Sequence, residues 1–185
     1  EAFEKLQANG KVRAFGMSSS DFDYIRAFSA NGKCASLQID YSILNRTAEK
    51  EILDYCQSND IGVIVRGGLA MGLLTGKFTQ SPAFAEGDFR RNWLKDAAQN
   101  AAFQQDLHHV EKLRSLIRPD RTLAQASLQF ILKHDAVSTV IPGARTADQV
   151  RSNVATVHCP QLDDENMRYI NSIVEPGGGR EIWPA

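Results

Sequence analysis

The sequence predicts an α/β fold built on a parallel sheet, and three observations carry that expectation. Short apolar runs rich in β-branched residues alternate with amphipathic stretches along the 185 residues. Each pair of runs is separated by ten or more residues of helical pattern, too long for a hairpin and suited to a right-handed parallel crossover. With 43% apolar and 23% charged residues and no low-complexity run, the chain has enough apolar side chains for one cored domain.

The elements follow in order. Ala2, Phe3 and Leu6 lie at helical spacing, and Asn9-Gly10 supplies a left-handed stop. Val12 to Phe15, ending at Gly16, reads as the first strand. Ser20 and Asp21 can cap a helix that presents Phe22, Ile25 and Phe28 inward and stops at Asn31-Gly32. Ala35 to Ile39 reads as the second strand. A helix begins at Thr47, turns Ile52, Leu53 and Cys56 toward the core, and ends near Asn59-Asp60. Ile61 to Val65 is the third strand and the one with the clearest buried character.

A long glycine-bearing segment, Arg66 to Asp88, leads into helical patterns over Trp93 to Leu116, broken by Pro119. Thr122-Leu123-Ala124-Gln125 is a capping box, opening a helix to about His134. Val137 to Ile141 is the fourth strand, stopped by Pro142-Gly143. Thr146-Ala147-Asp148-Gln149 is a second capping box, for a helix to about Val157, and a last helix spans Asp163 to Val174. Residues 175–185, with three consecutive glycines, are expected to form a flexible tail. The chain opens at Glu1, without methionine and inside a helical pattern, which reads as a cut from a longer frame. Four strand–helix units fit either half of an eight-stranded barrel or a small open sheet.

Composition excludes several classes. A net charge of −1 gives no general electrostatic footprint for nucleic acid or an acidic membrane surface. No apolar run approaches the roughly 20 residues that span a bilayer. Cys34, Cys56 and Cys159 are odd in number and widely spaced, so neither a disulfide framework nor a zinc site is expected. With no signal peptide in view, the expected compartment is the cytosol. His108 and His109, adjacent on a helix, point about 100° apart and make poor joint metal ligands.

Ligands of parallel α/β folds gather at the C-terminal ends of the strands. After the first strand stand Gly16-Met17-Ser18-Ser19-Ser20, whose hydroxyls serve at least partly as helix caps. The second carries Gln38, a strand amide that requires either a core partner or a ligand. The third ends in Arg66-Gly67-Gly68 and continues to Leu69, Met71, Gly72 and Lys77. The fourth ends in Pro142-Gly143-Ala144-Arg145, immediately before a capped helix. Glycines, cations and a helix N-terminus suit a phosphate. Gly72 to Lys77 is one residue short of a P-loop, and Phe78 stands where Ser or Thr is required. No G-x-G-x-x-G follows a strand, so a Rossmann site is unsupported.

Taken in order, GKVRAFGMSS, LQIDYSILNR, GLAMGLLTGKF and VIPGARTADQVRSN resemble the second half of aldo-keto reductases, from Glu1 to about Val174. The resemblance implies the C-terminal half of a (β/α)₈ TIM barrel, with these strands as its fifth to eighth. It implies an NADP(H) cofactor and a small aldehyde or ketone reduced by hydride transfer. Ser18 matches the serine, and Gln38 the glutamine, that hold the nicotinamide carboxamide. Ser19 stands where the family usually has asparagine, and Arg66 replaces the aromatic residue that stacks on the nicotinamide. Leu69, Met71, Gly72 and Lys77 fall in the loop that wraps the diphosphate; Gly143, Ala144, Arg145, Gln149 and Asn153 fall where the adenosine 2′-phosphate and adenine bind.

The family's catalytic tyrosine, lysine, aspartate and histidine come from the first half of the barrel, and nothing here aligns with them. Tyr41 and Tyr55 are not at those positions. These residues alone are therefore expected to be inactive, and open barrel edges favour self-association. A stand-alone half-barrel that binds nucleotide without catalysis is the alternative expectation.

Overall fold

The computed structural model describes residues 1–78 and 80–182. Its four strands are β1 (Phe15–Ser18), β2 (Cys34–Asp40), β3 (Gly62–Arg66) and β4 (Val137–Val140), paired in chain order and all parallel. Helix α1 (Ala2–Ala8) precedes β1, and α2 (Phe22–Ser29) and α3 (Ile52–Ser58) follow β1 and β2. Between β3 and β4 lie 3₁₀ turns over Ala70–Thr75 and Phe89–Leu94, then α4 (Ala97–Leu113) and α5 (Leu123–Leu132). Helices α6 (Ala147–Val154) and α7 (Asp164–Ile173) complete the described chain.

Strand alternation places Leu37, Ile39, Val63 and Val65 on one face, each no more than 1% exposed. That face packs on a helical layer containing Ile25, Leu53, Cys56, Ala126 and Ile131, all buried. The opposite face carries Ser36, Gln38, Gly62, Ile64 and Arg66, all only half-buried. The third strand is thus buried on one side only, a departure from the fully buried strand its composition suggests. Nothing among the described residues covers its second face as the helices cover the first.

The first strand lies three residues later than expected. Gly16 belongs in the ladder because a Cβ there would stand 2.2 Å from the Ser36 carbonyl oxygen. The Arg13 carbonyl is instead taken by the Gln7 side-chain amide at 3.0 Å, leaving Lys11 to Ala14 as a connector. Asp21, not Ser20, caps α2 by accepting from the Tyr24 N–H at 3.0 Å. Both capping boxes form as expected, Thr122 with Gln125 and Thr146 with Gln149.

The region expected to be helical from Trp93 begins as a 3₁₀ turn capped by Asp88. The α-helix starts only after Asp96, whose carboxylate accepts from the Gln99 N–H at 2.8 Å. Thr79, in the loop between the Ala70–Thr75 turn and α4, lies outside the described residues. Of its aromatics, Phe84 and Phe89 pack edge-on to Trp93, which stacks on Phe103.

The C-terminal segment is packed where its composition suggests a flexible tail. Arg46 N–H donates to the Gly178 carbonyl at 2.9 Å, Arg180 N–H donates to the Leu44 carbonyl at 3.0 Å, and Ile182 is 5% exposed. The Arg180 guanidinium pairs with Asp106 on α4. Residues 183–185, the end of that expected tail, lie outside the described residues.

Candidate nucleotide site

A cavity of about 610 Å³ opens at the C-terminal ends of β3 and β4. Gly67 follows β3 with φ +68°, and Ala70, Met71 and Gly72 continue in left-handed geometry at φ +49°, +55° and +97°. Two non-glycine residues in that region are costly, which marks the turn as one whose shape the surroundings enforce. The opposite wall begins where Pro142-Gly143 ends β4 and the Thr146 capping box starts α6. A Cβ at Gly143 would have no neighbour within 4 Å, so the glycine leaves cavity space rather than relieving a clash. Thr122 and Ala124, at the start of α5, also line the cavity.

Of the residues singled out from sequence, Leu69, Met71, Gly72, Lys77, Gly143, Arg145, Gln149 and Asn153 line this one cavity. Ala144 lies between two lining positions but is not itself on the wall. Gln149 Oε1 accepts from the Arg145 and Thr146 N–H groups at 2.6 and 3.3 Å, so its carbonyl end is committed to capping. Its amide nitrogen makes no hydrogen bond among the described residues. Lys77 and Arg145 are exposed and have no ion-pair partner within 4.0 Å among the described residues.

Ser18, Gln38 and Arg66 do not line the cavity; they lie on the open face of the sheet. Ser18 pairs in register with Gln38, and Arg66 stands opposite Asp40. The Gln38 carboxamide has no hydrogen-bond partner among the described residues. Ser19 Oγ accepts from the Asp21 N–H at 3.0 Å, a turn-stabilising role. Asp40, 6% exposed, accepts from Asn45 at 3.1 Å; burial pushes its carboxyl pKa up, opposed by Asn45 and Arg66.

Sequence reasoning missed Arg90. Its guanidinium pairs with Asp88 at 2.6 Å, donates to the Met71 carbonyl at 3.4 Å, and lies over the Phe78 and Phe84 rings at 5.4 and 5.3 Å. It thereby places a cation on the cavity wall and braces the left-handed turn. The Arg90 hydrogen bond, with Arg145 contributing at longer range, draws the Asp88 pKa down to about 2. The available signal was Asp88-x-Arg90 itself, a cap and a cation two residues apart in a loop of aromatics.

Tyr41 and Tyr55 serve packing. The Tyr41 hydroxyl donates to Glu49 at 2.6 Å from a ring 1% exposed, and Tyr55 shares a 2.7 Å hydrogen bond with Ser29. Among the described residues no group of three or more His, Cys, Asp or Glu is arranged to hold a metal. Among the described residues no helix is long and apolar enough to cross a membrane. The cysteines are free, with Cys34 and Cys56 buried.

A parallel sheet with helices on one face and a glycine-lined, cation-bearing cavity at its strand ends defines an α/β protein with its candidate site where such folds gather ligands. Comparison with known proteins narrows this class: residues 1–175 match the model of the aldo/keto reductase family, and the chain belongs to that family. It is 33% identical over 92% of its length to the NADH-specific methylglyoxal reductase of Escherichia coli, of which it covers 51%. It superposes on aldo-keto reductase AKR11C1 from Bacillus halodurans with a TM-score of 0.69 at 31% identity, covering 93% of this chain and 54% of that one. An aldo-keto reductase from Klebsiella pneumoniae in complex with NADPH shares the fold, with a TM-score of 0.66 at 22% identity, over 95% of this chain and 52% of that one. The chain thus spans about half the length of the relatives it matches, and its four parallel strands correspond to part of their (β/α)₈ barrels.

Proposed function

We propose that this chain is the C-terminal, cofactor-holding portion of an NADP(H)-dependent oxidoreductase that reduces aldehydes or ketones. The observation that carries the reading is one cavity uniting Gly72 and Lys77 from the loop after β3 with Gly143, Arg145 and Asn153 from the loop and helix after β4. The donor set fits a dinucleotide. Lys77 puts positive charge near the left-handed turn, where a diphosphate would lie, and Arg90, already paired with Asp88, braces that turn. Arg145 offers a planar fork beside the α6 N-terminus, suited to a 2′-phosphate. Ser18 and Gln38 present polar side chains on the open face, suited to the carboxamide, with Arg66 beside the ring. The bound cofactor would supply the hydride. The general acid and its tuning residues would come from outside these 185 residues, so the chain alone binds without turnover.

Names among the relatives point both ways on cofactor, including one that is NADH-specific. Arg145, which has no ion-pair partner among the described residues, favours the phosphorylated form.

Calorimetric titration with NADP⁺, NAD⁺ and 2′,5′-ADP tests the proposal. NADP⁺ and 2′,5′-ADP are expected to bind more tightly than NAD⁺. Arg145→Ala should weaken both by about 10- to 100-fold, the value of a charge-assisted contact, and leave NAD⁺ nearly unchanged. Equal loss for all three ligands, or no binding, would overturn it.

A further inference from the structure

β3 ends in Arg66, and the next residue, Gly67, is the first that lines the cavity. Register sets Arg66 opposite Asp40 and Ile64 opposite Gln38, with Gln38 in turn opposite Ser18. Strand alternation puts Gln38, Asp40, Ile64 and Arg66 on one face. Arg66 therefore stands at the end of β3, between the cavity on one side and the Gln38–Ser18 pair on the other. A ligand that reaches from Lys77 and Arg145 to Gln38 has to pass its guanidinium.

The opposing carboxylate offsets this charge without contact. No ion pair joins Asp40 and Arg66 within 4.0 Å. Asp40 is instead held in place by Asn45, which donates to it at 3.1 Å, and by the turn above it. A Cβ at Gly67 would stand 1.9 Å from Asp40 Oδ1, and Gly67 has φ +68°, so both the contact and the conformation require glycine. Arg66 acts on Asp40 through space, as does Glu181 from the C-terminal segment. The strand ends thus carry a fixed cation that nearby anions temper but do not neutralise.

We infer that Arg66 makes the site discriminate the oxidation state of its cofactor, holding NADPH more tightly than NADP⁺. This rests on the dinucleotide reading above and adds the residue that separates the two forms. A nicotinamide ring is positively charged when oxidised and neutral when reduced, whereas the phosphates are the same in both. Lys77 and Arg145 therefore hold both forms alike, and only a charge near the ring tells them apart. Two unit charges about 6 Å apart, at an effective dielectric near 20, change a binding constant by roughly 100-fold. Asp40 cancels part of that. The outcome is a site that retains the hydride donor and lets the spent form go.

Fluorescence titration with NADPH, and calorimetric titration with NADP⁺ and 2′,5′-ADP, test this on the 185-residue chain. The chain is expected to favour NADPH over NADP⁺ by about 10-fold. Arg66→Met should lower that ratio by about 5-fold or more, Arg66→Lys should largely keep it, and 2′,5′-ADP, which lacks the ring, should bind both variants as before. An unchanged ratio in Arg66→Met, with 2′,5′-ADP still bound, overturns the inference and leaves the dinucleotide reading standing. Asp40→Asn keeps an acceptor for Asn45 but removes the offsetting charge, and should raise the ratio by about 3-fold. A ratio that stays or falls there also sinks the inference, and this variant decides the matter if Arg66→Met fails to fold. If none of the three ligands binds the unaltered chain, the dinucleotide reading falls and the inference with it.

Discussion

Replacing Arg46 with methionine should cost more stability than any single change in the cavity. Arg46 ends the LQIDYSILNR segment, and its side chain is 5% exposed beside Glu49 at 12%. Its Nε donates to Glu49 at 2.9 Å, its Nη1 donates to Asn171 at 2.8 Å and to the Val174 carbonyl at 2.6 Å, and its guanidinium lies 5.1 Å over Phe130. Glu49 also accepts from Tyr41 and from the Gly177 N–H at 3.1 Å. Methionine keeps most of the stem packing but strands the Glu49 carboxylate and a buried carbonyl. Breaking a buried pair from one side costs about 3–5 kcal/mol, because the remaining charge has lost its counter-ion. Glu49→Gln, which keeps an acceptor for Tyr41, should cost less. Urea unfolding of both single variants and the double variant, read at constant m, closes the cycle. A coupling energy of at least about 2 kcal/mol is expected. An Arg46→Met cost below about 1 kcal/mol, or strict additivity, would refute the idea that this pair locks the C-terminal segment onto the sheet.

Two further outcomes follow from geometry. Gly16→Ala should destabilise the chain by more than about 2 kcal/mol, since its Cβ would meet backbone 2.2 Å away at a β1–β2 pairing; thermal melting checks this. Asp88 has a depressed pKa, so its contribution is full above the usual carboxylate value and is lost as pH falls through about 2. Asp88→Asn should therefore flatten the acid limb of the stability profile in that window and loosen the Met71 turn, read by acid titration of the melting temperature.

Much of the fold was legible because its signals are local. The two capping boxes, the β-branched core of β3 and the glycine stops each follow from residues within a few positions of one another. The β1 boundary was not legible, because Gly16 enters the ladder for the sake of Ser36, twenty positions away and invisible to any local pattern. The tail was misread for a related reason: Gly177 to Gly179 look like linker, yet they let backbone approach Leu44 and Glu49 closely. A Cβ at Gly179 would stand 2.2 Å from the Leu44 carbonyl oxygen. At the site, glycines and cations next to strand ends were readable. Arg90 was not, since its place depends on how a long loop folds back over Phe78 and Phe84.

The order of the sheet bears on how the molecule assembles during synthesis. β1, β2 and β3 pair with immediate chain neighbours across short helical connections, so they can zip together as they emerge. β4 must wait for about seventy more residues, including α4 and α5, before it closes on β3. The cavity lies at that late junction, with one wall from the β3 loop and the other from the β4 loop. A nucleotide there would bind only after the slow long-range step and would hold its product in place. Ligand supplied during refolding should therefore slow reopening of the β3–β4 junction while leaving the early β1–β3 association untouched.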